Sequence, residues 1–378
     1  MRRLFTSFSL AIVLSLSFFL KPAPVTAQIA LNRAYFRLKA PEALSQLQPY
    51  LHHDFGDNIF SIQAPQFIID RLADNPLLEF RGPASRWYLT RRVTRTSTCA
   101  PANPYPWGIT KVNGGSGGTG IKVAVLDTGV KTDHPDLKAN IIDCRDAQYS
   151  SLRNRCADTN GHGTHVTGTI AASGKIKGVA PDAKIMAIKV CGGSYCWSDD
   201  VARGIRYAAD KGANVINLSL GGSALAQDEK LALDYAADKG VLIVAAAGNS
   251  GPADNTINYP AAYSKVVAVG ALGPTDALTS WSSRGNNYAT TPYSVEERDI
   301  ELAAPGLNVE STWKDGCYKT ISGTSMATPH VAGLAAKLWQ GTAAATRTYL
   351  QDRAQNFYAD LGRPGDDPDA GFGLPTAP

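Results

Sequence analysis

The sequence lacks a strong excess of charge of either sign. Its 378 residues contain 37 Lys and Arg against 33 Asp and Glu, which leaves a net charge of only +4 at pH 7. A nucleic-acid-binding protein of this length would carry a larger positive excess, because phosphate neutralisation supplies much of its affinity. The charge balance therefore argues against DNA or RNA as a partner.

Long hydrophobic runs are also missing, apart from one near the start. The run "LAIVLSLSFFL" follows the basic "MRRLF" and precedes Val25-Thr26-Ala27, a small-x-small pattern. It falls short of the roughly 20 apolar residues that a membrane-spanning helix needs. We interpret residues 1–27 as a secretory signal peptide cleaved after Ala27, with a retained membrane anchor as the alternative. No later run could cross a bilayer, so we expect a secreted product with no membrane contact after cleavage.

Closely spaced Cys-x-x-Cys pairs, which would favour a zinc site, do not occur. The six cysteines are an even number, which favours disulfides in an exported protein. Six cysteines allow many connectivities. Proximity in the sequence favours two short loops and leaves one distant pair: Cys144–Cys156, Cys191–Cys196 and Cys99–Cys317.

A cysteine-free segment follows the predicted signal peptide. Residues 28–97 mix alternating and helical apolar patterns, as in "NIFSIQAP" and "QFIIDRLADNP". Their length suits a small α+β unit, which would be only marginally stable alone. The polar, proline-rich "VTRTSTCAPANPYPWG" at its end is typical of an exposed linker. We therefore expect a signal peptide over 1–27, a small unit over 28–97 and a larger domain over 98–378.

From Ile121 onward, apolar strands alternate with amphipathic helices. The strands are "IKVAVLDTGV", "AKIMAIKV", "NVINLSLGG" and "VLIVAAAGN", and the helices include "SDDVARGIRYAADKGA" and "EKLALDYAADKG". Near-continuous apolar strands are typical of a parallel sheet buried on both faces. The pattern predicts an α/β fold with a doubly wound, mostly parallel sheet and helices on both faces. In such folds ligands bind at the carboxyl ends of the strands.

Polar residues follow several of these strands. Asp127 ends "VAVLD", Asn249 ends "VLIVAAAGN", and "SLGG" (residues 219–222) ends a third strand. Burying an aspartate is costly unless it is hydrogen-bonded or paired. Asp127 is therefore either a turn or helix-cap residue or a carboxylate that orients a histidine.

Histidine is scarce, and the six are not equally suited to be that partner. His52 and His53 lie in the small N-terminal unit, and His134 lies in a turn where we expect a structural role. His162 and His165 share "NGHGTHVTG". Their H-x-x-H spacing invites a metal interpretation, but no nearby glutamate completes a metalloprotease pattern, so we expect His165 to pack in the core.

The order of these residues along the chain separates hydrolase classes. A lipase-type nucleophile needs G-x-S-x-G and the order Ser, acid, His, whereas "GTSMA" around Ser325 lacks the second glycine. The order Asp127, His162, Ser325 remains, and it is one of the known orders of a Ser-His-Asp triad. If Ser325 begins a helix that has Pro329 in its first turn, His330 points away from the reacting face and packs within the fold.

Five motifs together resemble the subtilisin-type serine proteases, the subtilase family. They are "VLDTGV" around Asp127, "NGHGTHVTGTIA" around His162, "SLGG", "AAAGN" before Ser250, and "SGTSMATPHVAGLAA" around Ser325. They stand in the family's order and span most of residues 105–340. The short segment "AASGKIKGVAP" and the expected disulfides are more similar to the proteinase K subfamily than to the bacillar subtilisins.

The resemblance implies a role for each matching residue. Ser325 would be the nucleophile, His162 its base and Asp127 the group that orients the base. The Asn249 side chain and the Ser325 backbone N–H would stabilise the oxyanion.

The resemblance also implies a set of substrate-binding residues. Ser219, Leu220 and Gly221 would pair with an extended substrate through the main chain. Tyr195 and Trp197 would border the outer pocket on the acyl side, with ordinary loop packing as the alternative. Ser250 and Asn258 would line the primary pocket, and because neither is charged, we expect no strict preference for a basic residue there.

The resemblance implies no cofactor for the chemistry, but it does suggest a structural Ca²⁺. In the proteinase K subfamily main-chain carbonyls and one carboxylate hold a calcium ion, and the matching positions are Ser264, Val266 and Glu301. Oxygen ligands suit Ca²⁺, although Glu301 could equally be a solvated surface residue. Asp136 aligns with a calcium ligand of the bacillar type, whose longer loop this chain lacks.

The function implied is a secreted serine endopeptidase of broad specificity, monomeric, acting on proteins and peptides. Residues 28–97 would be a propeptide that assists folding, inhibits the enzyme and is removed by self-cleavage somewhere between Arg92 and Pro106. A selective processing protease is the alternative enzyme. A catalytically silent binding protein is the alternative from another class, but no triad or oxyanion residue is missing.

Overall fold

The computed structural model describes residues 30–90, 92–93, 97–287, 294–357, 361 and 367–378. The predicted signal peptide lies outside these residues. The N-terminal unit consists of β1 (Leu31–Leu38), α1 (Leu44–Leu47), β2 (Leu51–Gly56), β3 (Ile59–Pro65), α2 (Gln66–Ala73) and β4 (Leu78–Pro83). Its antiparallel sheet has the order β2-β3-β1-β4 and packs under α1 and α2 around a core of its own. This is the small α+β unit that the sequence predicts.

Two short strands and the larger domain follow. Their elements in chain order are β5 (Arg86–Leu89), β6 (Arg92–Val93), α3 (Trp107–Lys111), β7 (Lys122–Asp127), β8 (Ile141–Asp146), α4 (His162–Ala171), β9 (Lys184–Lys189), β10 (Cys191–Gly192), β11 (Tyr195–Trp197), α5 (Ser198–Asp210), β12 (Val215–Leu218), β13 (Leu220–Gly221), α6 (Gln227–Asp238), β14 (Leu242–Ala246), β15 (Val267–Leu272), β16 (Leu302–Pro305), β17 (Val309–Thr312), β18 (Tyr318–Ser322), α7 (Thr324–Lys337) and α8 (Ala343–Phe357).

A seven-stranded parallel sheet forms the centre of this domain, in the order β16-β15-β14-β12-β7-β9-β8. Successive residues of each strand face opposite sides, so the sheet contributes to two cores. Val123 and Val125 of β7 pack on the side of α4 and α7. Ala124 and Leu126 pack on the side of α5 and α6. The predicted doubly wound α/β fold is confirmed.

Three disulfides join the predicted cysteine pairs: Cys99–Cys317, Cys144–Cys156 and Cys191–Cys196. The pairing expected from proximity in the sequence is therefore confirmed. Within the part of the chain that the structure describes, no helix has the length and apolar character needed to cross a membrane.

Candidate active site

Asp127 and His162 meet at the carboxyl edge of the central sheet. Asp127 is the last residue of β7, and His162 is the first residue of α4. The Nδ1 atom of His162 lies 2.8 Å and 2.9 Å from the two carboxylate oxygens of Asp127, and both side chains are fully buried. A carboxylate in this position fixes Nδ1 as the protonated nitrogen, which leaves Nε2 as a base. Among the described residues, Nε2 has no hydrogen-bond partner.

A second carboxylate holds the start of α4 in place. Asp158 accepts hydrogen bonds from the Gly161 and Thr164 backbone N–H groups at 2.7 Å and 3.0 Å. It also accepts one from the Thr128 hydroxyl at 2.9 Å, and Thr128 Oγ1 in turn accepts one from the Gly163 N–H. The helix start that carries His162 is thereby tied to the residue after Asp127.

Ser325 is the second residue of α7 and is fully buried. Its Oγ donates to the Ser219 carbonyl at 2.9 Å, and its own carbonyl accepts from Ser219 Oγ at 2.9 Å. Pro329 lies in the second helical turn, not in the first as the sequence analysis expected. Because proline has no N–H, the Ser325 carbonyl lacks its usual helical donor. Ser219 supplies the missing hydrogen bond.

The two expected oxyanion donors are the Ser325 backbone N–H and the Asn249 side chain. The Ser325 backbone N–H donates to the Thr90 carbonyl oxygen at 3.2 Å. The Asn249 side-chain oxygen accepts from the Thr324 N–H and hydroxyl, both at 3.1 Å. These two bonds fix which end of the Asn249 amide carries its N–H groups, so its orientation is set by the residue beside Ser325.

The strand β5, which directly follows the N-terminal unit along the chain, fills the groove that leads to Ser325. It is a middle strand in the order β10-β11-β5-β13. Leu220 and Gly221 of β13 pair antiparallel with Leu89 and Tyr88. These two residues thus pair through the main chain with an extended segment of the same chain. Ser219 differs, because its side chain supports Ser325.

A cavity of about 450 Å³ opens beside Thr90. Its lining includes Ser250 and Asn258, together with Asn249 and Gly222. None of these four side chains carries a charge. Among the residues that the structure describes, the only charged one that lines the cavity is Arg86 of β5, so the cavity holds no acidic partner for a basic group.

Tyr195 and Trp197 lie on the other edge strand of the groove. Tyr195 pairs with Tyr88, and Trp197 pairs with Arg86, whose guanidinium lies over both rings at 5.2 Å and 4.7 Å from their centroids. Trp87 points inward and is only 1% exposed. A Cβ on Gly222 would lie 2.5 Å from its indole, so the outer pocket is filled by this side chain.

The residues proposed for calcium do not fit a metal. The Glu301 carboxylate is fully buried, and Arg347 contacts it through Nε at 2.8 Å and Nη2 at 2.6 Å. The same Nη2 donates to the Ser264 carbonyl at 2.9 Å, and Gln351 donates to Glu301 at 2.8 Å. Val266 is buried in the core. A guanidinium therefore binds the Glu301 carboxylate and the Ser264 carbonyl, two of the three expected Ca²⁺ ligands, and Glu301 is not a solvated surface residue either.

Asp136 is likewise occupied by protein donors. Its carboxylate accepts from the Lys175 and Ile176 N–H groups at 2.9 Å and 3.1 Å and from the Tyr318 hydroxyl at 2.7 Å. The short loop after α4 folds over this side chain, which is 1% exposed. Asp136 thus acts as an anchor for the loop.

The remaining histidines of the larger domain have structural partners. His165 Nε2 contacts the Val309 and Lys319 carbonyls, each at 3.0 Å. His134 Nε2 contacts the Cys317 carbonyl at 3.1 Å. His330 Nδ1 lies 2.8 Å from the Met326 carbonyl, and burial lowers the pKa of this imidazole to about 4. All three are fully buried; packing within the fold was expected of His165 and His330, and a structural role in a turn of His134.

The sequence analysis missed two sets of residues. Thr90, Asp158 and Thr324 contact the site directly, but single polar residues in motifs or linkers give no distinctive signal. The second set lies where the N-terminal unit covers the starts of α5 and α6. There Arg33 contacts Asp199 at 2.9 Å, and Arg81 contacts Asp228 at 2.7 Å. The acidic "SDD" and "DE" at the two helix starts were visible, but their basic partners are over 140 residues away.

The larger domain matches a known family of sequences. Residues 118–373 match the model described as the Subtilase family. The chain is 43% identical over 310 residues to Subtilisin from Bacillus sp. (strain TA39), covering 73% of each chain. It is 40% identical over 271 residues to Subtilisin Savinase from Lederbergia lenta, covering 69% of this chain and 94% of the other.

Solved structures agree with the sequence matches. The structure titled S41 Psychrophilic Protease has a TM-score of 0.70 and 43% identity, covering 74% of this chain and 100% of the other. Sphericase has a TM-score of 0.69 and 44% identity, covering 73% of this chain and 99% of the other.

Proposed function

Because this chain belongs to the subtilase family and is a serine endopeptidase, we propose that Ser325, His162 and Asp127 form its catalytic triad. One observation carries the assignment. The backbone N–H of Ser325 donates to the carbonyl of Thr90, the residue that directly follows β5 in the groove. A peptide carbonyl held at this serine, together with a buried histidine oriented by the Asp127 carboxylate, supports the triad.

The chemistry begins with proton transfer from Ser325 to His162. Nε2 of the imidazole takes the hydroxyl proton as Oγ bonds to the carbonyl carbon, and Asp127 stabilises the imidazolium that results. The proton then passes to the leaving amine, and an acyl-enzyme remains on Ser325. Water, activated by the same nitrogen, hydrolyses this ester. For the attack, Ser325 Oγ must give up its hydrogen bond to the Ser219 carbonyl and donate to Nε2 instead.

The oxyanion formed by the attack needs hydrogen-bond donors. We assign this role to the Ser325 N–H and the Asn249 amide, which Thr324 keeps in one orientation. In subtilisins, loss of the asparagine donor costs on the order of 10²–10³ in turnover. We expect Asn249→Ala to have an effect of that size here, with little change in KM.

Substrate recognition depends chiefly on main-chain pairing with β11 and β13. Because such pairing is independent of side chains, it supports a broad specificity. The uncharged primary pocket at Ser250 and Asn258 supports the same conclusion, since it does not favour a basic residue. We propose that proteins and peptides in general are substrates.

We further propose that the enzyme is exported and made as a zymogen, and that it acts as a monomer. The N-terminal run that precedes Ala27 supports export through a signal peptide. The position of β5 in the groove supports inhibition by the N-terminal unit, because a substrate cannot pair with β11 and β13 at the same time. No cofactor is needed for the chemistry described.

Casein and a peptide library test the proposal together. We expect the mature enzyme to degrade casein at many sites and to show no dominance of Lys or Arg before the cut. Ser325→Ala should abolish casein hydrolysis, and the precursor should then persist without its signal peptide. Cleavage at only a few casein sites would favour the selective processing protease instead.

A further inference from the structure

The chain does not stop at the active site but continues past it. From this path we propose that the peptide bond after Thr90 is the one that this enzyme cuts in its own precursor. The inference rests on the proposed function, because it assigns the first substrate of the same triad. It also places the cut before the window of Arg92 to Pro106 that the sequence analysis expected.

The first step is the register on the acyl side. Leu89 lies opposite Leu220, and Tyr88 lies opposite both Gly221 and Tyr195. An antiparallel pairing on both edges fixes β5 against sliding, since a shift by one residue would turn the buried Trp87 outward. The next residue along the chain, Thr90, must therefore reach Ser325.

The second step is the carbonyl at the nucleophile. Thr90 is 6% exposed, and its carbonyl accepts the hydrogen bond from the Ser325 N–H at 3.2 Å. Its hydroxyl lies 2.7 Å from Ser325 Oγ. The carbonyl that occupies the oxyanion position identifies the carbon that is attacked. That carbon belongs to Thr90.

The third step is the register beyond the cut. In β6, Arg92 pairs with Ser322 and Val93 pairs with Ile321 of β18. The residues beyond the cut are therefore held by β18, the strand that leads into α7. Residues later in the expected window are held elsewhere, because Thr98 exchanges two backbone hydrogen bonds with Tyr318 and Cys99 is bonded to Cys317.

The reaction balances as an ordinary peptide hydrolysis. Ser325 Oγ bonds to the Thr90 carbonyl carbon, the bond from that carbon to the Arg91 nitrogen breaks, and His162 returns the proton to that nitrogen. Water then cleaves the Thr90 ester and regenerates the Ser325 hydroxyl. The products are a unit that ends in the Thr90 carboxylate and an enzyme that begins at Arg91, whose first residues stay attached through the Cys99–Cys317 disulfide.

Mass spectrometry of the precursor during maturation tests the inference. The full chain is expressed and sampled over time, and both fragments are measured after reduction. We expect the smaller fragment to end at Thr90 and the larger to begin first at Arg91. The end of the smaller fragment decides the question, because later trimming of the mature enzyme cannot alter it.

A pair of proline variants provides the matched control. Arg91→Pro makes the scissile amide tertiary, and the ring displaces this bond from the attack geometry, so self-cleavage should slow on the order of tenfold or more. Proline favours an extended conformation in the residue before it, so the docking of β5 should survive. Thr96→Pro makes the same change beyond β6 and should leave the rate unchanged.

The outcomes separate this inference from the proposed function. A small fragment that ends between residues 92 and 105, with none ending at Thr90 and casein hydrolysis intact, overturns the assigned bond alone. Equal rates for the two proline variants overturn it as well. A wild-type chain that neither cleaves itself nor hydrolyses casein overturns the proposed function.

Discussion

At the scale of single residues, Ser325 is positioned by partners that are distant in the sequence. Ser219 bonds to both its hydroxyl and its carbonyl, and Thr324 orients Asn249. His330, five residues further along α7, has no part in the proposed chemistry and is fully buried. Its neutral imidazole instead makes the fold sensitive to acid.

The pKa of His330 predicts how stability depends on pH. Burial lowers this pKa to about 4, whereas an unfolded histidine titrates near 6.5. The unfolded state therefore binds more protons, so the stabilisation is fully present above about pH 6.5 and is lost as pH falls towards 4. The loss from this residue should approach about 3 kcal/mol.

The measurement is urea unfolding at pH 7 and pH 4.5 in a Ser325→Ala background, which prevents autolysis. His330→Asn keeps an N–H donor for the Met326 carbonyl but does not titrate. We expect a smaller loss of stability on acidification in the variant than in its parent. An equal loss in the two would contradict the role assigned to His330.

The proposed triad residues could be picked out from the sequence because each sits in a motif of fixed local geometry. Asp127 ends a strand, and His162 and Ser325 lie at the starts of helices. Thr90 and Asp158 could not be predicted, because their roles depend on which segments the fold brings to them. The residues expected to hold calcium do not fit a metal for the same reason. The sequence does not show that Arg347, 46 residues later, contacts the Glu301 carboxylate.

At the scale of elements, the Arg347–Glu301 contact joins α8 to β16. Glu301 precedes β16 directly and is fully buried, and Arg347 is its charged partner. A buried carboxylate without a partner is costly. Here the guanidinium of Arg347 supplies the positive charge that a metal ion would otherwise supply to Glu301.

We expect Arg347→Met to destabilise the protein by about 3–5 kcal/mol, because it leaves the Glu301 charge buried and unpaired. The double variant Arg347→Met/Glu301→Gln removes both charges and should recover part of this loss. Denaturant midpoints in the Ser325→Ala background measure both effects. A double variant less stable than the single variant would show that the pair is not coupled as described.

The architecture of these elements was predictable from periodicity. Apolar strands that alternate with amphipathic helices predict a parallel sheet with helices on both faces, and the structure contains such a sheet. The short strands β5, β10 and β13 were not predictable, because two to four residues carry no period. β10 pairs with β11 across the Cys191–Cys196 disulfide, whereas β5 and β13 pair with each other because the chain lays β5 between β11 and β13.

At the scale of the whole molecule, the N-terminal unit covers the starts of α5 and α6. Glu229 at the start of α6 accepts a hydrogen bond from Ser85 of the covering segment at 3.2 Å and is 1% exposed. Burial raises the pKa of Glu229 to about 7, against the opposing effect of its hydrogen bonds. The closed arrangement therefore favours the protonated carboxyl.

This shift predicts that the N-terminal unit is released faster at higher pH. A carboxyl that becomes exposed on release has a pKa near 4.5, so the closed state loses stability as pH rises from about 4.5 to 7. The total loss approaches about 3 kcal/mol, or on the order of 100-fold in the release equilibrium. Glu229→Gln should abolish this contribution.

The appearance of casein activity after self-cleavage, followed at pH 5 and pH 8, measures the release. We expect the ratio of the two rates to be larger in the wild type than in Glu229→Gln. Because other groups at the interface titrate in both proteins, only the difference between the ratios is decisive. The same ratio in both proteins would contradict the role of Glu229.

The most direct test of the account is covalent labelling of the mature enzyme with a fluorophosphonate, a reagent that reacts with activated serines. We predict a single label on the peptide that contains Ser325 and a matching loss of casein hydrolysis. Ser325→Ala should take no label, and His162→Ala, which keeps the serine but loses its base, should be labelled far more slowly. A label on another serine, or casein hydrolysis that persists in Ser325→Ala, would contradict the account.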